Sequence, residues 1–426
     1  MSEFNKIIGY QTIKEELLQI CDMIHNREIY EKLGAKLPQG ILLYGDPGLG
    51  KSLMAKCFIA ESGLPAYIVR RNKGSDDFIG KITETFEKAK NNAPAIVLLD
   101  DMDKFANEDD RHADAEEYVA VQAGIDEVKG CNVFVFATVN EMSKLPHSLI
   151  RSGRFDRKIE VNAPTDRDAE EIIKYYLAQK KVSDNVNMDD LVKMVSYGSC
   201  AEFETILNEA AIHAAYARKE KVEMDDLVKA VLRMQYDAPD NFTKKSGDAL
   251  KEIALHEAGH LVVSEVLTPG SVGLASLRSS GRDSMGGFMH RCLPVARRAY
   301  DILVSLAGKA ATELYYSGTC ASGCQNDIAR AVDNIRDALT ESGMCGLAMI
   351  DISNGPFSES SESFKERNES VVHAELERYM FKTREILIKN RNFLEKAAEL
   401  LSERETLLYS DIKRLRENVE IHEVWI

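Results

Sequence analysis

Histidine is scarce in this chain, nine in 426 residues, and two of the nine frame Leu255-His256-Glu257-Ala258-Gly259-His260. Residues four apart share one face of a helix, so His256 and His260 can offer both imidazoles to one zinc ion. Glu257, beside the first of them, can take a proton from the water that such a metal activates. The context is helical: Leu250, Ala254, Ala258, Leu261 and Val262 recur at helical spacing, and Pro269-Gly270 supplies a stop. The competing reading is a helix that happens to carry two surface histidines. Scarcity of histidine, together with the glutamate between the pair, favours a zinc peptidase site.

A catalytic zinc usually takes three protein ligands and keeps one position for water. Position 266, where one known zinc-helix pattern places its third histidine, is Val266. Glu265 lies five residues from His260 and points away from the metal face. Asp283, His290, Glu313 and Asp327 remain, and residue chemistry alone does not choose among them. Asp327 opens an amphipathic stretch (Ile328, Val332, Ile335, Leu339), where capping a helix is the ordinary job of an aspartate.

A second chemistry sits in the first half. Gly45-Asp46-Pro47-Gly48-Leu49-Gly50-Lys51-Ser52 follows the short apolar run Ile41-Leu42-Leu43-Tyr44 and precedes a helical pattern. This is a phosphate loop in its required context: backbone N–H groups wrap phosphates, Lys51 reaches the β- and γ-phosphates, and Ser52 can ligate Mg²⁺. Ala95-Ile96-Val97-Leu98-Leu99 is a buried strand ending in Asp100-Asp101. At the C-terminal edge of a parallel sheet, Asp100 would hold Mg²⁺ and Asp101 would orient the attacking water. A third strand over residues 132–138 ends near Asn140, which is either a plain turn residue or a polar contact to the γ-phosphate or the water.

The elements that must position these groups can be read coarsely. Residues 9–25 form an amphipathic helix, the phosphate loop joins strand to helix, and from about residue 166 to 236 the pattern is wholly helical. Residues 237–247 turn polar and read as a linker. At 426 residues there is room for two or three domains. A net charge of −15, with Lys and Arg scattered, argues against a nucleic-acid binder. Eight cysteines without a framework pattern and no signal peptide fit a reducing, cytoplasmic setting. The longest apolar runs are strand-sized, far short of the roughly 20 residues of a membrane helix.

Together these features resemble a known family. The first half is similar to an AAA+ ATPase module. Leu149-Ile150-Arg151-Ser152-Gly153-Arg154-Phe155-Asp156-Arg157 resembles that superfamily's second region of homology, and Ile206-Leu207-Asn208-Glu209-Ala210-Ala211 its helical lid. The order of motor, linker, His-Glu-Ala-Gly-His and then Ser322-Gly323-Cys324-Gln325-Asn326-Asp327 resembles the FtsH family of ATP-dependent zinc metalloproteases. The resemblance implies an α/β AAA+ module, with a parallel sheet flanked by helices, over residues 1–165. It implies a helical lid at 166–236, a linker at 237–247 and a mainly α-helical protease domain at 248–426. It makes Asp327 the third zinc ligand and Arg151 and Arg154 fingers that reach a neighbouring subunit's γ-phosphate. It makes Phe78-Ile79-Gly80, after Asp76-Asp77, a central-pore loop whose aromatic grips substrate. Residues 284–290 resemble the strand beside the zinc, which holds a peptide by strand addition.

The implied cofactors are zinc, ATP and Mg²⁺, the implied assembly a homo-hexamer, and the implied activity unfolding, translocation and cleavage of protein substrates. Two rivals stand beside it: an unfoldase whose zinc domain is only a ring scaffold, and a zinc peptidase with a motor too slow to matter. The sequence departs from the family pattern in four places. Asp101 stands where the family has glutamate, Ser52 where threonine is usual and Cys324 where a small residue is common. The membrane helices that usually come first are not in this chain, so the expectation is either a naturally soluble protein or a missing N-terminal segment.

Overall fold

The structure is a computed structural model describing residues 2–71, 77–106, 115–238, 247–278, 287–293, 297–316, 324–340 and 362–424. It divides into two compact units, Met1–Gln179 with Tyr197–Thr205, and Lys180–Ser196 with Ile206–Ile426.

The first unit is built on five short strands: β1 (Gly40–Tyr44), β2 (Ala66–Val69), β3 (Ala95–Leu99), β4 (Val133–Val139) and β5 (Arg157–Glu160). They pair in the order β2-β3-β4-β1-β5, every pair parallel. β3 and β4 are buried along their whole length, which is why they read as unbroken apolar runs rather than alternating ones. Around the sheet run helices α1 (Gln11–His25), α2 (Arg27–Lys32), α3 (Lys51–Ser62), α4 (Phe78–Asn91), α5 (Ala115–Glu127) and α6 (Asp166–Leu177). Their starts follow capping chemistry: Thr165 accepts the N–H of Asp168 at α6, and Asp77 accepts that of Gly80 at α4.

The stretch expected to be wholly helical continues through α7 (Met188–Met194), α8 (Cys200–Tyr216) and α9 (Met224–Tyr236). The division between the units falls inside it, within α8.

The second unit centres on α10 (Asp248–Leu267), whose residues from Ala254 to Val266 are all buried. Packed on it are α11 (Arg298–Tyr315), α13 (Glu362–Lys389) and α14 (Arg391–Arg404), with α12 (Gln325–Thr340) against α11 and a short α15 (Tyr409–Glu417). The close approach of α10 to α11 depends on Gly259, where a Cβ would sit 2.5 Å from the Ala307 carbonyl oxygen. Beside the helices lies a small antiparallel sheet, β6 (Val272–Ser276) between β7 (Phe288–Arg291) and β8 (Thr406–Leu408). Asp190 on α7 fastens the start of α15, accepting the Ser410 N–H at 2.7 Å and its hydroxyl at 2.8 Å. Among the described residues no helix is long and apolar enough to cross a membrane.

Candidate metal and nucleotide sites

One turn of α10 carries His256, Glu257 and His260, all buried. Asp327, in the first turn of α12, comes to them across 71 residues of sequence. Its Oδ2 lies 3.2 Å from His256 Nε2 and 3.4 Å from His260 Nε2, and the two Nε2 atoms are 3.1 Å apart. One ligand atom from each of the three lies within 4.8 Å of the others. His260 Nδ1 donates to the Val304 carbonyl at 2.6 Å, which leaves the Nε2 lone pair turned toward the cluster. Two imidazole nitrogens and a carboxylate oxygen converging in this way fit a zinc ion with a position left for water.

Among the described residues, the alternatives for the third ligand fall away. Glu265 is turned from the cluster, as its spacing requires, and accepts the N–H groups of Gly270 and Val272 at 2.8 and 2.9 Å. Glu313 is paired with Lys309 and Arg384. His290 lies on β7 with the ring of Tyr236 at its edge. Asp283 lies outside the described residues.

Glu257 accepts the Gly287 N–H at 3.0 Å just before β7, so the loop entering this edge strand fixes the glutamate's carboxylate. Burial raises its pKa, outweighing the nearby His260 and His256, which suits a group that must accept a proton. Asp327 is the opposite case: burial opposes its charge, yet hydrogen bonds from His256 and His260 hold it well below the usual carboxylate range. Sequence reasoning missed the supporting contacts: the Val304 carbonyl, the Gly287 N–H and Gly308, where a Cβ would meet the His256 ring at 2.3 Å. A glycine inside a helical run, as in Leu306-Ala307-Gly308, was the available signal for the last.

In the first unit, β1 runs into the phosphate loop and α3 begins at Lys51, immediately after Gly50 in the left-handed region (φ +88°). Lys51 is buried and donates to the carbonyls of Gly45 and Asp46 at 2.6 and 2.7 Å. Ser52 Oγ donates to Asp100 Oδ1 at 2.9 Å, and Thr138 Oγ1 donates to the same oxygen at 2.8 Å. A phosphate-loop hydroxyl and a strand-end carboxylate thus adjoin, the arrangement a Mg²⁺–nucleotide site needs. Asp101 takes a left-handed backbone (φ 55°), with its carboxylate 2.7 Å from Lys104 Nζ and 3.9 Å from Arg70. Asn140 follows β4 and is half-buried, its N–H donating to Asp103.

Two expectations need correction. Arg154 is buried and committed within the chain, with Nε and Nη2 gripping both oxygens of Asp126 at 3.0 and 2.6 Å and Nη1 donating to the Ser148 carbonyl. Arg154 is thus held within its own chain, and Arg151 is the exposed one of the pair. Phe78 is a core residue, 5% exposed, its ring 5.3 Å from Phe105 in an edge contact and beneath the Arg71 guanidinium. With Ile79 and Gly80 it forms the first turn of α4, so its aromatic ring is not offered to a passing chain. Asp76 lies outside the described residues.

Comparison with known proteins matches each half of the chain to a family. Residues 41–163 match the ATPase family associated with various cellular activities (AAA), and residues 243–415 match peptidase family M41. The chain is 31% identical to the ATP-dependent zinc metalloprotease FtsH of Streptobacillus moniliformis, over 99% of this chain and 65% of that protein. It is 30% identical to the protein of that name from Leptotrichia buccalis, over 97% of this chain and 57% of the other. It is 29% identical to ATP-dependent zinc metalloprotease FtsH 3 of Symbiobacterium thermophilum, over 98% and 71%. The chain therefore spans between 57% and 71% of the length of these relatives. With a match to the AAA family ahead of a match to peptidase family M41, and similarity running through nearly all of its length, the chain is similar to the FtsH-like AAA+ zinc metalloproteases.

Proposed function

We propose that this chain is an ATP-driven protease that pulls protein substrates toward its zinc site and hydrolyses their peptide bonds. The observation that carries the reading is the convergence of His256, His260 and Asp327 beside a buried Glu257, in a chain that also holds a complete phosphate loop. When bound, zinc supplies Lewis acidity to the water and the scissile carbonyl. Glu257, steadied by the Gly287 N–H, takes the water's proton and passes it to the leaving amine. β7 lies at an edge of its sheet, so a substrate chain can add to it as a further strand beside Glu257. In the motor, Lys51 and the loop Gly45 to Ser52 hold the ATP phosphates, Ser52 and Asp100 hold Mg²⁺, and Asp101 with Asn140 orients water. Arg151 reaches the nucleotide of the next subunit, and the ring so formed is a homo-hexamer. Residues 1–165, 166–236 and 248–426 serve as motor, lid and protease, with 237–247 as the linker.

The test is Glu257→Gln. The variant should retain about one zinc per chain, because the three ligands are untouched. Its cleavage of an unfolded protein such as casein should fall by about 10²–10⁴-fold, the usual worth of a general base. Wild-type cleavage by this variant would remove Glu257 from the mechanism.

A further inference from the structure

The start of α12 meets His256 at both of its ring nitrogens. Asp327 Oδ2 lies 3.2 Å from Nε2, and Cys324 Sγ, three residues earlier and buried, lies 3.9 Å from Nδ1. Nε2 is the atom that faces His260 and Asp327, so it is the one turned toward the metal. A neutral imidazole with its lone pair on Nε2 carries its proton on Nδ1. In a buried site that proton needs an acceptor, and metal-bound histidines are held in their tautomer by such partners. His260 has the Val304 carbonyl. For His256 the corresponding contact is the Cys324 sulfur, while Gly308 leaves only enough room for the ring on its other side.

We propose that Cys324 is a positioning residue of the zinc site: its sulfur accepts the Nδ1–H of His256 and holds the ring plane so that Nε2 points at the metal. The inference rests on the reading of His256, His260 and Asp327 as zinc ligands. Because Sγ sits on the Nδ1 side, across the ring from Nε2, it acts through the histidine and is not itself a ligand. The same turn of helix thereby delivers one ligand and fixes the orientation of another. This gives a physical role to a position where a residue without a hydrogen-bonding side chain would leave His256 Nδ1 without this partner.

The experiment compares the full chain with Cys324→Ala and Cys324→Ser. Zinc dissociation constants are measured by competition with a chromophoric chelator, and absorption spectra are recorded after cobalt(II) substitution. Outer partners of metal-bound histidines are typically worth 10–100-fold in metal affinity. Cys324→Ala should therefore bind zinc about tenfold more weakly, at the lower end because sulfur is a weak acceptor. Cys324→Ser should recover most of the loss, since a hydroxyl oxygen also accepts. Wild-type cobalt protein should lack the intense near-ultraviolet band of a cobalt–thiolate bond. Equal zinc affinity in Cys324→Ala would overturn the proposal, reducing the sulfur to packing. So would a thiolate band lost in Cys324→Ala, which would make Cys324 a ligand. A loss of affinity that serine does not restore, accompanied by a lower melting temperature of the metal-free protein, would assign a structural role and also overturn it. Failure of the wild-type chain to bind zinc is a different result, one that sinks the ligand assignment itself.

Discussion

A proton and a zinc ion compete for the same place between His256, His260 and Asp327. Burial works to lower the pKa of His256, but the hydrogen bonds to Asp327 and Cys324 outweigh it and leave the imidazole raised to about 9. Zinc requires the unprotonated ring, so the metal-free site gives up a proton when it binds. The sign follows: below about pH 9 the proton opposes the metal, and apparent zinc affinity should rise as pH rises from neutrality toward that value. Chelator competition at several pH values checks this; an affinity independent of pH would contradict it. The left-handed backbone at Asp101 gives a physical reason for aspartate there, because Asp and Asn tolerate that conformation better than glutamate does. Asp101→Asn should therefore fold and bind ATP as the wild type does, yet release phosphate far more slowly. Wild-type turnover by this variant would mean that another residue handles the water.

The helices and strands explain which parts of the site were legible in the sequence. His-Glu-Ala-Gly-His and the phosphate loop are local patterns, and their elements, α10 and the β1–α3 junction, form where the periodicity places them. Residue chemistry left Asp327 one of several acids and only the family resemblance singled it out, because a contact across 71 residues is a property of topology and not of spacing. The fates of Arg154 and Phe78 were hidden for the same reason. Asp126 lies on α5 and Phe105 follows β3, and neither partner can be inferred from the motif around the residue it captures. The two arginines should thus separate by assay. Arg154→Ala should destabilise the first unit by about 1–3 kcal/mol, the cost of leaving buried hydrogen-bonding partners unmet. Arg151→Ala, at an exposed position, should leave the melting temperature unchanged and reduce ATP turnover. A stable Arg154→Ala that loses only ATPase activity would return Arg154 to the role of a finger.

At the scale of the whole molecule, the chain joins two kinds of chemistry that neither of its site patterns implies alone. The −15 net charge and apolar content suit a globular protein, and the parallel sheet and the helical protease fold were both anticipated through the family resemblance that the phosphate loop and His-Glu-Ala-Gly-His carry. The limits of the compact units were less legible. The contact boundary runs through α8, where the sequence is uniformly helical and offers no break in composition. What distinguishes an ATP-driven protease from a zinc peptidase or a remodeller is whether the two chemistries depend on each other. The most direct measurement is cleavage of casein by the zinc-loaded full chain with ATP and Mg²⁺, without nucleotide, and with a non-hydrolysable ATP analogue. Rapid cleavage is expected only where ATP can be hydrolysed; equal cleavage in all three conditions, or cleavage in none, would rule out an ATP-driven protease.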